Sequence, residues 1–276
     1  MFYLILAILS STANGIILRL SKKFVKNKIS MLAGNYLTCT LLSVFYMYPS
    51  PFLPSDEGMG RVMFLSLING FILLAGFVLM QYCILNHGVV MTSVFSRLGV
   101  LVPALSAIIF FHEKPTSIQS VGFLLAISAI IIMNGRNGLK GLHFSLIAVL
   151  LMNGSGDFMA KVFEETGVPS LSENYLVFSF LTALSLNIVL SLYKKEHPGA
   201  GDIISGMILG IPNYFGARFL LKAVSQVPAF IVYPTFSVGN IIVMTISGIL
   251  LFKEKITRNQ LAAILIIMLS LVFLNI

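Results

Sequence analysis

Three ionisable side chains stand inside long apolar stretches of this chain: Arg97, Asp157 and Arg218. A charged group at the centre of a bilayer-spanning helix costs about 2.5 to 3.5 kcal/mol on insertion scales, so each needs a partner, a water-filled cavity or a task. The forked donors of a guanidinium suit a carboxylate or phosphate. A carboxylate in the same setting suits an amine or a coupling proton. Arg97 has Ser93 one turn before it, Asp157 shares a face with Asn153, and Arg218 belongs to a stripe of Tyr214, Arg218 and Lys222. A purely structural role competes with this one. Either arginine could pair with Asp157, or Lys161 could neutralise it from one turn away.

Uncharged polar residues extend the candidate binding set. Tyr233, Ser237 and Asn240 fall on one helical face. Pro234 and Pro103 can each free a backbone carbonyl in their spans. Tyr36 and Tyr175 occupy equivalent places in the two halves, as do Asn14 and Asn153. For any one of these, interhelical hydrogen bonding or interfacial anchoring is the simpler role. The Gly206-to-Gly210 spacing reads as a close-packing seam.

Other chemistries find no footing in the residues. No phosphate-binding glycine loop is present, so the chain is not expected to be an ATP-driven pump. His87, His112, His143 and His197 lack metal-ligand spacing, and no Ser/His/Asp arrangement suggests an enzyme. Neither a cofactor nor a metal is expected. Cys39 and Cys83 lie in apolar segments and read as buried thiols.

The elements that position these groups must be membrane helices. Of the 276 residues 57% are hydrophobic and only 10% charged, with a mean hydropathy of +0.96, too little polar surface for a soluble globule. The net charge of +8 sits mostly in short connections beside apolar spans, where it orients a membrane protein and does not bind nucleic acid. About ten spans follow, from Phe2–Arg19 to Asn259–Asn275, the fourth covering Val89–Phe111. The first lacks a basic leader and a cleavage site, so it reads as a retained helix.

The second half repeats the first. FHEKPTSIQ at Phe111 to Gln119 matches FKEKITRNQ at Phe252 to Gln260 at a shift of 141, and each copy leads into an apolar helix closing on Asn134 or Asn275. NYL at Asn35 matches NYL at Asn174 at a shift of 139, as Asn14-Gly15 matches Asn153-Gly154. The halves divide as residues 1–138 and 139–276. Five spans per half is an odd number, which makes the second half enter the membrane inverted, with a cavity near the midplane between the halves. Glu113 and Glu254, beside Lys114 and Lys255, read as interfacial anchors or turn caps.

With its doubled EK-x-T-x-x-Q and ten spans, the whole chain resembles the drug/metabolite transporter superfamily, specifically its EamA-like ten-helix members. Asn14-Gly15 and Asn153-Gly154 stand where relatives commonly carry Trp-Gly. The resemblance implies secondary transport, often export, of amino acids, other metabolites, amines or nucleotide-linked sugars held between the halves. The reading is therefore an all-α, multi-pass transporter in the cell membrane. Its expected partners are the lipid bilayer, a small polar substrate and a coupling proton or ion. Two basic groups and one acid favour an amino acid or organic anion. A cationic amine or lipophilic drug is the alternative, and a scaffold or lipid-modifying enzyme is the alternative of another class.

Overall fold

A computed structural model describes residues 1–48, 51–54, 57–102, 116–133, 143–194, 199–224, 226–227 and 229–274. Ten α-helices and no strand occur among them: α1 Phe2–Ser21, α2 Lys28–Met47, α3 Met59–His87, α4 Val89–Arg97, α5 Ser117–Met133, α6 Phe144–Thr166, α7 Ser172–Tyr193, α8 Ala200–Val224, α9 Ala229–Phe252 and α10 Arg258–Leu274. Helices are what hydrocarbon permits, because every backbone donor and acceptor must be satisfied within the segment. By length and composition α1, α2, α3, α7 and most of α8 and α9 can cross a bilayer. Large apolar side chains such as Phe64, Leu124, Phe144, Leu192 and Leu250 point outward, as a lipid-facing surface requires.

The fourth span departs from the continuous helix expected over Val89–Phe111. It is α-helical to Arg97, tightens into a 3₁₀ turn at Leu98–Val100 and is α-helical again at Leu101 and Val102, the last described residues of the span. Close packing accompanies the change: a Cβ on Gly99 would lie 2.8 Å from Gly154 N, and one on Gly154 would collide with Gly99 O. Pro103 and the first copy of the repeated motif through residue 115 lie outside the described residues, as do Asn134 and Asn275.

The repeated T-x-x-Q has a local cause. Thr257 N donates to Gln260 Oε1 at 2.9 Å while Gln260 N donates to Thr257 Oγ1 at 3.3 Å, a reciprocal capping box that opens α10. The first half has the same box, Thr116 N to Gln119 Oε1 at 3.0 Å and Gln119 N to Thr116 Oγ1 at 3.1 Å, opening α5. Glu254 is a cap as well. Its carboxylate accepts from Val89 N at 2.8 Å and Val90 N at 3.2 Å, satisfying free donors at the start of α4. Lys253 holds φ 53 and Glu254 N reaches Gly248 O at 3.0 Å, a reversal that ends α9 and turns Glu254 toward α4. Glu113, the equivalent residue, lies outside the described residues.

The main helix contacts recur when the halves are exchanged, and α1 in addition packs on α3 and α4. α1 packs on α8 as α6 packs on α3; α2 on α8 as α7 on α3; α1 on α9 as α6 on α4. The pairs α2–α7, α4–α9 and α5–α10 are their own equivalents. The expected glycine seam is real: on α8, a Cβ at Gly206 would collide with Met31 O of α2, and one at Gly210 would lie 2.6 Å from Asn35 O. Asp202 reinforces this end by accepting from Lys26 N and Asn27 N at 2.9 and 3.2 Å.

One pair of equivalent contacts is not alike. Gly154 of α6 meets Gly99 in the turn after α4, whereas its counterpart Gly15 of α1 faces the Met244 side chain of α9.

Candidate functional site

The four helices α1, α4, α6 and α9 bring the first cluster together. Arg97, at the end of α4, donates from Nη2 to Ser11 Oγ on α1 at 2.7 Å. Its guanidinium carbon lies 4.5 Å from the centroid of the Phe236 ring on α9, a cation–π geometry. Arg97 and Asp157 of α6 lie within Coulombic reach of one another. Asp157 itself is exposed.

Unpaired polar atoms mark the same region. Arg97 Nε, Asn14 Oδ1 and both polar atoms of the Asn240 amide are buried without a hydrogen-bond partner. Each such group left dry costs about 1 to 3 kcal/mol, so the arrangement favours a ligand or water that supplies the missing bonds. Asn153, one turn before Asp157, turns its amide onto Val149 O at 3.0 Å. Ser237 is partly buried on α9, and the side chain of Tyr233 lies outside the described residues, as do those of Lys161 and Pro234.

Arg218 belongs elsewhere. Its Nη1 donates to Glu173 Oε1 and Oε2 at 3.2 and 3.3 Å and to Tyr214 Oη at 2.8 Å, and its guanidinium carbon sits 4.3 Å from the Tyr46 ring centroid. The ion pair considered between Arg218 and Asp157 is replaced by one with Glu173, which ties α8 to α7 while Tyr46 and Tyr214 stack at 5.7 Å between α2 and α8. Tyr36 is fully buried and donates to Leu73 O at 2.8 Å, binding α2 to α3. Tyr175 stacks on Phe163 at 4.3 Å. Tyr36 is thus engaged in helix packing, whereas the Tyr175 hydroxyl is buried without a hydrogen-bond partner.

The residues that sequence reasoning missed are Ser11, Phe236 and Glu173. Ser11 carried a signal, since it falls three residues before Asn14 on the same face. Glu173 stood beside the repeated NYL, at the edge of a span where acids are common, and so drew no notice.

Apolar helices in two exchangeable halves, with charged groups brought together between them, define a multi-pass membrane transporter. The EamA-like transporter family matches residues 1–135 and again 139–276, and the chain belongs to that family. A protein of Haemophilus influenzae described as uncharacterized is 29% identical over 275 residues, 94% of this chain and 92% of its own. The quaternary ammonium compound-resistance protein QacC of Staphylococcus aureus is 30% identical over 98 residues, 90% of its length but 35% of this chain. A solved crystal structure covers 97% of both chains with a TM-score of 0.59 at 10% identity, a likeness of fold alone.

Proposed function

We propose that this transporter carries a small carboxylate-bearing metabolite of the amino-acid class by secondary, alternating-access transport. The observation that carries the reading is the Arg97 guanidinium, held by Ser11 and Phe236 with its Nε buried and unpartnered, within Coulombic reach of Asp157 and with the unpaired amides of Asn14 and Asn240 one turn from Ser11 and Phe236. The substrate carboxylate would take the free Nε edge of Arg97, which Ser11 and Phe236 hold in place. The ammonium would face Asp157, and the two amides would bond what remains. A zwitterion leaves the net charge of the site unchanged, and each of its two charges meets an opposite one that offsets its desolvation. The halves, 1–138 and 139–276, act as inverted five-helix repeats, and the exchange symmetry of their contacts supports this. Asp157, when not engaged by substrate, can carry the coupling proton.

The test is a thermal-shift screen of the purified protein over amino acids, organic acids and quaternary amines, followed by uptake into proteoliposomes. A ligand that binds only the folded state raises apparent stability. Stabilisation by amino acids that disappears in Arg97→Gln supports the reading, and stabilisation by amines alone, retained in Arg97→Gln, overturns it. That second outcome is the rival reading, favoured by the likeness to QacC: export of a cationic amphiphile held by Asp157 and the Phe236 ring.

A further inference from the structure

Eight helices form a closed ring by their contacts: α1, α8, α2, α7, α3, α6, α4 and α9 each pack on the next, and α9 packs on α1 again. One end of the ring is plugged. Leu18, Met31, Ile84, Val89, Leu209 and Met244, one from each of six helices, are buried there in a single apolar cluster, and α1 crosses the ring to pack on α3 and α4. The opposite end differs. Among the described residues α6, the counterpart of α1, makes no comparable packing with α8 or α9. Asp157 stands at the place of Leu18, by the same shift of 139 that pairs Asn153 with Asn14. Leu18 is fully buried and Asp157 is exposed.

Two charged side chains lie across the plugged end, at the corner between α3 and α4. In an unbroken helix Val89 N would donate to Leu85 O and Val90 N to Asn86 O. The helix breaks instead at Gly88, whose φ of 88 a residue with a side chain rarely adopts. Charges take up the freed groups. Arg19 of α1 donates from Nη1 to Leu85 O at 3.3 Å and to Ile84 O at 2.6 Å, while Glu254, from the turn after α9, accepts from Val89 N and Val90 N. A cation thus sits at the carboxyl end of α3 and an anion at the amino end of α4, each the sign that its helix end favours. Arg19 and Glu254 border a cavity of about 270 Å³ together with His87 and Lys255, where water can take over their bonds when the corner moves.

We propose that Arg19 and Glu254 are the two arms of a gate at the plugged end of the ring, and that this conformation is closed at that end and open at the other. The two arms hold the corner from α1 and from the α9 turn, so α3 and α4 part from α1 and α9 only when both charges let go, with Gly88 as the hinge. Met31 and Met244 give the plug flexible side chains that repack as it opens. Arg97 lies at the far end of α4, so the movement that opens the gate also displaces the arginine of the proposed site. The inference rests on the alternating-access reading above. It adds to that reading the residues of the gate and its side, that of the α1–α2 and α9–α10 connections.

The experiment measures distances between paired spin labels on the full chain in liposomes. One pair, Lys22→Cys with Asn86→Cys, spans α1 and α3 at the gated end; the other, Thr166→Cys with Gln226→Cys, spans the ends of α6 and α8 at the opposite one. All four positions are exposed, whereas Cys39 and Cys83 are buried. The parent should be mostly short at the first pair and long at the second. In Arg19→Gln and in Glu254→Gln a long population at the first pair should rise at least fivefold and a short one at the second should rise with it, because alternating access moves the two ends in opposite senses. Arg19→Lys should shift the populations less than Arg19→Gln, and either arm serves if a variant of the other does not fold. Both pairs lengthening together, as in a merely loosened structure, overturns the gate. So do unchanged distances in the variants when L-leucine or a change of pH still moves the two pairs of the parent in opposite directions, and alternating access then stands. A single fixed distance at each pair, in the parent and every variant under all these conditions, overturns alternating access together with the gate.

Discussion

Arg97 on α4 and Ser11 on α1 are joined by a 2.7 Å hydrogen bond, with the Phe236 ring of α9 against the same guanidinium. The cation is thereby fixed in position before any ligand arrives. Arg97→Lys keeps the charge and discards the fork, so substrate affinity should fall roughly 10- to 100-fold, the worth of a charged hydrogen bond. Ser11→Ala should cost less, about two- to fivefold. Isothermal titration reads both, with Lys26→Ala as a loop control that should bind like the parent. Unchanged affinity in Arg97→Lys would remove the arginine from the binding site.

Asp157 is exposed on α6 within Coulombic reach of Arg97, and a carboxylate there suits the proton or the amine of the proposed function. Asp157→Asn keeps shape and hydrogen-bonding capacity while removing charge. The protein should remain folded and inserted, with net transport lost or no longer responsive to a pH gradient in proteoliposomes. A lowered melting temperature with residual transport of unchanged pH dependence would assign Asp157 to structure instead.

The Arg218–Glu173 pair is partly exposed, with side-chain accessibilities of 15% and 38%. Its stabilising effect should accordingly be modest, about 1 kcal/mol or less. Glu173→Gln should lower the melting temperature slightly, and exchanging the two residues (Arg218→Glu with Glu173→Arg) should restore part of the loss. Substrate affinity tells whether Arg218 also binds ligand: a change in affinity in Arg218→Lys beyond twofold, with stability intact, would place it there.

The capping boxes predict stability effects without functional ones. Thr257→Ala and Gln260→Ala should each destabilise by about 1 kcal/mol. The double variant should cost less than the sum, because the two bonds form one reciprocal unit. Denaturation in mild detergent checks this, and ligand affinity should be unaltered throughout.

Basic residues predict orientation. Connections on one side of the ten spans hold 12 Lys and Arg residues against 4 on the other, which sets both termini outside the cytoplasm. A C-terminal reporter active only in the cytoplasm should stay dark, and a bright signal would reverse the topology.

Much of the architecture was legible because lipid imposes it. Uninterrupted apolar runs of span length have few alternatives to helix, and the polar repeat matches divided them into halves. The chemical meaning of those matches was less accessible: T-x-x-Q served as a family signature until the reciprocal bonds of Thr257 with Gln260 showed it to be a helix start. For the site, Arg97 and Asp157 were selected from their cost in hydrocarbon alone, and the structure brings them within Coulombic reach. Which of them meet was not accessible, because helical periodicity gives a residue's face but not the helix opposite. Tyr36 and Tyr175 were selected on equal terms with Asn14, and only packing separates a phenol bonded to Leu73 O from an amide left unpaired.

The unequal contacts of Gly15 and Gly154 bear on time as well as shape. Gly154 meets backbone, the Gly99 carbonyl, whereas Gly15 meets the end of the Met244 side chain. A thioether on a flexible stem can swing aside and refill a gap, while a glycine-on-glycine contact has no side chain to yield. Of two seams built from one repeated sequence, the one at Gly15 is therefore the more readily parted.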